Sequence, residues 1–253
     1  MFVNHKYKFI FKCIPKVASR SLRLWFLRSI DFAQELNIRN EAVKKWLECG
    51  GECKTKSPIG SGGWQQDSKV FCKLKYARSS EYFKFIVMRD PFARLVSAYV
   101  TRMRSRKSPI SKIVVEETYK EKRLPVNMRK GITFREFVEY MVKREDNEIN
   151  AHFRSQSSFI NMKFDFVAKL ENIESDFVRI QQAIGLYEPL PKVGSILHAS
   201  VGQYPDAADM SMSKIRRLKP KPHYSDFYPP GLTELVSKRY KKDIDYLSED
   251  YNC

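Results

Sequence analysis

The stretch that decides the fold is Phe85-Ile86-Val87-Met88-Arg89-Asp90-Pro91-Phe92-Ala93-Arg94-Leu95-Val96-Ser97-Ala98-Tyr99. It begins inside an apolar run, Tyr82 to Met88, and such a run is typical of a strand buried on both faces of a parallel sheet. Asp90 followed by Pro91 predicts a helix start, because aspartate caps the first N–H groups and proline fits the first helical position. The stretch therefore predicts a buried strand that leads into a helix running past Met103.

Two other places repeat this order of strand and helix. A strand over Lys8 to Cys13 is followed by a helix from Ser19 to about Glu35, and a strand over Phe164 to Leu170 is followed by a helix over Glu174 to Ile184 that Gly185 ends. Strand–helix alternation along the whole chain indicates an α/β protein with a mostly parallel sheet. The remaining predicted helices are a short one near Glu41 to Leu47, one over Ile132 to Val142 with Thr133 and Glu136 as a capping box, and one from Leu232 to about Leu247.

The size of the chain indicates its domain organisation, and its charge indicates what kind of partner it binds. A chain of 253 residues with 43% hydrophobic residues is large enough for a real core, and we expect a single domain over 1–253 with a basic insertion at about 102–130. The formal charge of +17 predicts an anionic partner: a nucleotide, a polyanionic glycan, a nucleic acid or a membrane surface.

The cysteines and the apolar runs indicate the cellular compartment in which the protein is expected. The five cysteines have no repeating spacing that would indicate a disulfide framework, and Cys49 and Cys53 lack a second Cys/His pair that would complete a zinc site. No apolar stretch approaches the ~20 residues of a membrane span. The first predicted strand starts within about eight residues of the N-terminus, which leaves no room for a signal peptide. A cytoplasmic protein is expected, although a trimmed piece of a Golgi-lumenal protein would look similar.

The first strand–helix junction carries a cation and hydroxyls. Lys16, Ser19 and Ser21 follow the apolar run Phe9-Ile10-Phe11 at the start of the predicted helix. A helix N-terminus presents unpaired N–H groups and a positive dipole end, which suit a terminal phosphate or sulfate. The alternative is a helix capped by Ser19 with cations on its surface, and the segment alone does not decide between the two.

The second junction places Arg89 where its strand ends, at the edge where open α/β sheets bind ligands. Ser97 lies about two turns into the helix, so a guanidinium and a hydroxyl could hold a phosphate there. The alternative pairs Arg89 with Asp90 or another carboxylate and leaves Ser97 as an ordinary helix residue. Asp90 is assigned to structure rather than chemistry.

Taken together, the two junctions resemble the nucleotide-binding motifs of sulfotransferases that use 3′-phosphoadenosine-5′-phosphosulfate (PAPS). Pro15-Lys16-Val17-Ala18-Ser19 resembles the 5′-phosphosulfate loop, and the segment from Arg89 to Tyr99 resembles the 3′-phosphate motif. The resemblance is nearest to the Golgi carbohydrate sulfotransferases that act on chondroitin, dermatan and glucuronyl epitopes, and to their shorter microbial relatives. Three further segments keep the family's order: Asn150-Ala151-His152-Phe153, residues 164–172 and residues 223–246.

The resemblance implies a fold, a reaction and a donor site. The fold would be a P-loop-NTPase-like three-layer α/β sandwich, and the enzyme would move a sulfuryl group from PAPS to an acceptor hydroxyl on a carbohydrate, with no metal. Lys16 would contact the 5′-phosphosulfate, while Arg89 and Ser97 would hold the 3′-phosphate. The rest of the implied donor loop is Pro15, Val17, Ala18, Ser19, Arg20 and Ser21, with the backbone N–H groups from Val17 onward cradling the 5′-phosphate.

His152, in the matched Asn-x-His segment, is the candidate general base. The alternatives are a structural His152 bonded to Asn150, with Glu35 or Glu41 as the base. The other histidines, His5, His198 and His223, are interpreted as structural or surface residues.

The cations outside the two junctions have two interpretations. Segment 102–130 holds ten Lys/Arg and three Glu, and with Arg154 and the run Lys214 to Lys221 it would face an anionic acceptor or the nucleotide. The alternative is a solvated face.

Other functions remain open at this point. The acceptor could be a small metabolite or a peptide tyrosine. A nucleotide-dependent phosphotransferase of similar fold is disfavoured because no Gly-Lys-Ser/Thr loop is present, and a nucleic-acid-binding module is disfavoured because no such motif occurs. The oligomeric state is left open.

Overall fold

The computed structural model describes residues 1–30, 74–191 and 201–248. The helix predicted near Glu41, the alternative bases Glu35 and Glu41, and His198 lie outside the described residues. The strands are β1 (Phe2–Asn4), β2 (Phe9–Lys12), β3 (Phe83–Met88), β4 (Phe166–Lys169), β5 (Val201–Gly202) and β6 (Lys221–Pro222). The helices are α1 (Ser19–Arg28), α2 (Leu74–Arg78), α3 (Pro91–Arg102), α4 (Pro109–Glu121), α5 (Phe134–Val142), α6 (Ile173–Ile184), α7 (Met212–Arg217), α8 (Pro230–Arg239) and α9 (Lys241–Ser248).

The described residues form two compact units. The first holds residues 1–30, 74–88 and 161–191, and the second holds 89–160 and 201–248. The expectation of a single domain over 1–253 stays a prediction. None of the helices in the described ranges is long and apolar enough to cross a membrane.

The first unit is built on a four-stranded sheet in the order β1-β2-β3-β4. β1 runs antiparallel to β2, whereas the pairs β2–β3 and β3–β4 are parallel, with Phe85 opposite both Phe11 and Phe166. The mostly parallel α/β sheet predicted from the sequence is therefore confirmed. Its three parallel strands are the predicted ones, each shortened by one or two residues at its ends.

β1 was missed by the sequence analysis, which took Lys8 to Cys13 as the first strand. Three residues are too few to show the alternation that marks a strand. β1 forms because residues 5–8 turn the chain back, with Lys8 at a φ of 51°, and bring Phe2 opposite Phe11.

Aromatic side chains fill the core on one face of this sheet. Phe11 stacks on Phe85 with ring centroids 5.5 Å apart, and Trp25 of α1 meets Phe177 of α6 at 5.0 Å. All four side chains are buried. Because strand residues alternate between faces, Ile10 points to the other side and packs with Val3, Tyr82 and Tyr76 of α2. The sheet is thus covered by helical residues on both faces.

The second unit is a helical assembly with its own aromatic core. Tyr99 of α3 packs against Phe134 and Phe137 of α5, and its hydroxyl donates to the Ile132 carbonyl at 2.8 Å. α5 starts with the predicted capping box: Thr133 and Glu136 exchange side-chain-to-backbone hydrogen bonds of 2.7 and 3.1 Å.

Three predicted helices end differently, and the first of them, α3, stops at Arg102 instead of running past Met103. α1 stops at Arg28 rather than near Glu35, because the Ser29 hydroxyl donates to the Phe26 carbonyl and accepts from the buried Asn4 amide, which competes with helix continuation. The helix expected from Leu232 to about Leu247 is divided at Tyr240 into α8 and α9. The fully buried Tyr240 donates its hydroxyl to the Phe153 carbonyl at 2.5 Å, a tertiary contact that the local pattern does not encode.

Candidate functional site

The first junction lies in the first unit, between the end of β2 at Lys12 and the start of α1 at Ser19. Its loop holds two non-glycine residues in left-handed conformations, Lys16 with a φ of 74° and Ala18 with a φ of 51°. Such conformations cost on the order of 1–3 kcal/mol each and persist only where the surroundings impose them. Val17, fully buried between the two, anchors the loop to the protein interior.

The N-cap residue of α1 supplies no side-chain cap. Ala18 occupies the N-cap position and makes no side-chain hydrogen bond to the first turn, and the first turn contains no acidic residue. The alternative in which Ser19 caps the helix is therefore wrong, because Ser19 is already the first helical residue. The N-cap residue therefore does not offset the positive end of the α1 dipole, and such an end favours an anion.

The sequence analysis did not single out Lys12, the last residue of β2. Its ammonium donates to the Asn161 side chain at 3.1 Å, and burial lowers the pKa of this amine below its ordinary value. The signal that could have identified it is its position as a cation at the carboxyl end of a buried strand, at the edge of the sheet where ligands bind.

The second junction lies in the second unit, where Asp90 caps α3. Its carboxylate accepts from the Ala93 N–H at 2.7 Å, with Pro91 in the first helical turn, so the structural role expected for Asp90 is confirmed. Arg94 is also structural: its guanidinium is buried, donates to the Arg154 carbonyl at 2.7 Å, and has a pKa lowered by burial. Arg154 in turn donates from Nε to the Ile149 carbonyl at 3.0 Å.

The backbone of Arg89 is held by one buried side chain. The Arg89 N–H donates to Gln156 Oε1 at 3.0 Å, and the Arg89 carbonyl accepts from Gln156 Nε2 at 2.7 Å. Gln156 is itself fixed, because its own N–H donates to the buried Asp243 carboxylate at 2.7 Å and the next N–H, of Ser157, donates to it at 2.8 Å. Sequence reasoning missed both residues, since nothing local connects positions 89, 156 and 243.

Ser97 lies on α3, seven residues past the Asp90 cap, which is about 10 Å along the helix axis. Its carbonyl accepts from the Thr101 hydroxyl, as in an ordinary helix. The half-buried Ser97 hydroxyl makes no hydrogen bond to any residue in the described ranges. It is available to an external acceptor.

His152 lies in the second unit with both ring nitrogens in contact. Nδ1 is 2.6 Å from the Asn150 side-chain oxygen, which also accepts from the His152 N–H at 3.1 Å, and Nε2 contacts the Arg102 guanidinium. The Asn150 oxygen accepts only, so the proton resides on Nδ1 and Nε2 carries a lone pair. The His152–Asn150 contact is the one expected of a structural histidine, and it leaves on Nε2 the lone pair that a general base requires, so the base role stays a prediction.

The other described histidines have structural contacts. His5 Nδ1 is 2.7 Å from the Tyr82 hydroxyl, and His223 forms the N-cap of the turn at Tyr224–Phe227. Within residues 1–30, 74–191 and 201–248, no three His, Cys, Asp or Glu side chains form a group that could hold a metal ion.

The predicted donor residues thus fall into two groups. Pro15 to Ser21 lie together in the first unit, whereas Arg89, Ser97 and His152 lie in the second.

Comparison with known proteins gives a family match over nearly the whole chain. A model described as "Sulfotransferase family" matches residues 1–251. Carbohydrate sulfotransferase 14 of Danio rerio is 29% identical over 193 residues, covering 72% of this chain and 47% of the relative. Carbohydrate sulfotransferase 12 of Mus musculus is 24% identical over 221 residues, covering 78% of this chain and 49% of the relative.

A further relative matches a shorter part of the chain: carbohydrate sulfotransferase 11 of Mus musculus is 28% identical over 123 residues, or 43% of this chain. The chain spans about half the length of these two curated relatives. No solved structure gives a significant match.

Proposed function

The chain belongs to the sulfotransferase family, and on that premise we propose that it transfers a sulfuryl group from PAPS to a hydroxyl group of a carbohydrate acceptor. The acceptor class is taken from the relatives, whose names describe carbohydrate sulfotransferases. The observation that carries the proposal is the start of α1, where Ala18 at the N-cap supplies no side-chain cap and the preceding loop contains Lys16 and is strained at two positions.

The 5′ end of the donor fits the first junction. A helix N-terminus whose N-cap residue supplies no side-chain cap and whose first turn has no carboxylate favours a phosphate group. The left-handed residues Lys16 and Ala18 supply the backbone turn that glycines supply in other phosphate loops, which explains why the sequence has no glycine-rich motif here. The backbone N–H groups from Val17 to Ser21 would bind the 5′-phosphate, and Lys16 would neutralise charge that builds up there.

The 3′ end of the donor fits the second junction. Arg89 would pair with the 3′-phosphate through its guanidinium, and the Ser97 hydroxyl would donate a second hydrogen bond. The two bonds from the Gln156 amide hold the Arg89 backbone, so the guanidinium starts from a fixed point. A 3′-phosphate distinguishes this donor from ATP, and a site for it separates a sulfotransferase from a kinase.

The bound donor supplies the sulfuryl group, and negative charge develops on the 5′-phosphate of the leaving nucleotide. The protein's task is therefore positioning and electrostatic stabilisation. His152 would take the proton of the acceptor hydroxyl at Nε2, because Asn150 occupies Nδ1. Arg102 contacts Nε2. The acceptor hydroxyl must therefore replace the Arg102 guanidinium at that nitrogen before the proton can move.

Thermal unfolding with adenosine 3′,5′-bisphosphate, compared with ATP, tests the donor. A ligand present at 100 times its Kd stabilises the folded state by about 2.7 kcal/mol, which is a readily measured shift in Tm. The bisphosphate should shift the Tm more than ATP does. Ser97→Ala and Lys16→Ala should each weaken its binding about tenfold or more, because each removes a hydrogen bond to a charged group.

Two matched variants control for side effects. Ser105→Ala removes an exposed hydroxyl from the second unit, and Lys163→Ala removes an exposed ammonium from the first unit. Both should bind the bisphosphate as the wild type does. An equal response to ATP would favour a phosphotransferase, and equal losses in Ser97→Ala and Ser105→Ala would contradict the assignment of the 3′-phosphate site.

A further inference from the structure

A cavity in the second unit is lined almost entirely by arginine. It has a volume of about 280 Å³ and is lined by Arg104, Arg106, Ser213, Arg216 and Arg217, which together are called the arginine pocket below. The first two residues lie in the turn between α3 and α4, and the other three lie on α7. Four guanidinium groups therefore converge from two separate parts of the chain.

The described residues do not compensate the positive charge of the arginine pocket. Among the described residues, no carboxylate forms an ion pair with any of its four arginines. The neighbouring Lys214 has a carboxylate partner, Asp206, at 3.7 Å, so Asp206 is already engaged.

The ammonium of Lys221, beside the pocket, is affected by the same positive charge. Partial removal from water, together with the charges of Arg104 and Lys219, lowers the pKa of the Lys221 ammonium below its ordinary value. The same ammonium donates to the carbonyls of Ile215 and Arg216 at 3.1 and 2.9 Å. Two of the carbonyls at the C-terminal end of α7 are thereby covered by a cation and do not offset the arginines.

The arginine pocket is separate from the predicted 3′-phosphate motif. Arg89 precedes the N-terminus of α3 and Arg104 follows its C-terminus. The 12 residues of α3 span about 18 Å, which is longer than an arginine side chain can reach. Arg104 therefore does not reach Arg89, and the arginine pocket is distinct from the position that Arg89 occupies.

We propose that the arginine pocket binds a sulfate or phosphate ester carried by a saccharide. A guanidinium donates two parallel N–H bonds to a pair of oxyanion oxygens, and the Ser213 hydroxyl adds a further polar group to the lining. The volume equals that of about nine water molecules in the liquid, so a tetrahedral oxyanion fits together with part of the sugar that carries it.

A nucleic acid suits this surface less well. Proteins that bind single strands line a groove with aromatic side chains on which bases stack, whereas none of the described residues that line this cavity is aromatic. The oxyanion follows from the arginine pocket alone and stands whether or not PAPS is the donor, whereas the saccharide that carries it rests on the carbohydrate acceptor of the proposed function.

Calorimetric titration of the whole chain, without nucleotide, tests the proposal. Galactose 6-sulfate and galactose 6-phosphate are compared with unmodified galactose, which distinguishes the two ester sources and the neutral sugar. At least one ester should bind saturably and galactose should not. Arg216→Gln/Arg217→Gln should weaken that binding about tenfold or more, because charge-assisted hydrogen bonds are lost.

Two further variants locate the effect. Arg123→Gln/Arg129→Gln removes the same charge from exposed positions of the same unit outside the pocket, and Ser97→Ala alters the predicted donor site. Both should bind the ester as the wild type does. An equal loss in the Arg123/Arg129 variant would overturn the proposal in favour of general charge attraction, and so would the absence of saturable binding. Tighter binding of a single-stranded oligonucleotide that also requires Arg216 and Arg217 would overturn it in favour of a nucleic-acid surface.

Discussion

Replacing His152 by alanine should abolish most of the turnover while leaving donor binding intact. If Nε2 accepts the acceptor proton, its loss removes general-base catalysis, which is typically a factor of about 10²–10⁴. The His152 ring belongs to the acceptor step, so the Kd of adenosine 3′,5′-bisphosphate should not change. The assay is transfer of radiolabelled sulfuryl groups to a carbohydrate panel, with the Kd measured by calorimetry.

Asn150 gives the same prediction a finer test. Its side-chain oxygen, 2.6 Å from Nδ1, holds the ring in the tautomer with a lone pair on Nε2. One neutral hydrogen bond contributes about 0.5–1.5 kcal/mol, so Asn150→Leu should lower turnover by roughly twofold to tenfold. Asn150→Asp keeps an oxygen acceptor beside Nδ1 and should retain most of the turnover. Asn150 is exposed, so none of these changes threatens the fold.

Two outcomes would refute this reasoning. Turnover of His152→Ala within about twofold of the wild type would move the base elsewhere, with Glu35 and Glu41 as the next candidates, since general-base loss predicts a far larger effect. A parallel loss of bisphosphate binding would mean that His152 supports the structure of the site rather than the proton transfer.

Three further predictions concern stability. Asp243→Ala should lower the free energy of unfolding by about 3 kcal/mol or more, because two backbone N–H groups lose a charged acceptor; a loss below about 1 kcal/mol in urea unfolding would contradict this. Burial opposes ionisation of Glu136, but the bonds from Lys122 and Thr133 outweigh it and lower the pKa of Glu136 below 4.5. Its contribution is therefore present above pH 4.5 and lost as the pH falls through the folded-state pKa, and Glu136→Gln should flatten the fall of Tm with acid. Asp90→Ala should cost about 1 kcal/mol and Asp90→Asn much less, as measured by thermal melts; equal melts for both would exclude the capping role.

Much of the fold could be predicted because its signals are local. The apolar run before Arg89, the Asp-Pro helix start and the Thr133–Glu136 capping box each act over a few residues, and each is present in the structure. The three parallel strands were predicted for the same reason. The short strand Phe2–Asn4 and the division of the last helix at Tyr240 were missed, because both depend on partners far along the chain.

The residues of the candidate site divide in the same way. Lys16, Arg89 and Ser97 could be proposed from motifs of a few residues. The left-handed conformations of Lys16 and Ala18 could not, because no glycine marks them. The N-cap of α1 could not be predicted either. Ser19 is a residue type that often caps helices, but Ala18 occupies the N-cap position.

By itself the sequence determined an α/β chain with two strand–helix junctions that carry cations, because hydrophobic periodicity and helix caps are properties of neighbouring residues. Only the tertiary structure decided what those cations meet. The Gln156 amide on the Arg89 backbone, the Arg102 guanidinium on His152 and the convergence of Arg104 with Arg216 join positions 50 or more residues apart. Contacts at that separation are set by how whole elements pack, and no pattern of adjacent residues encodes them.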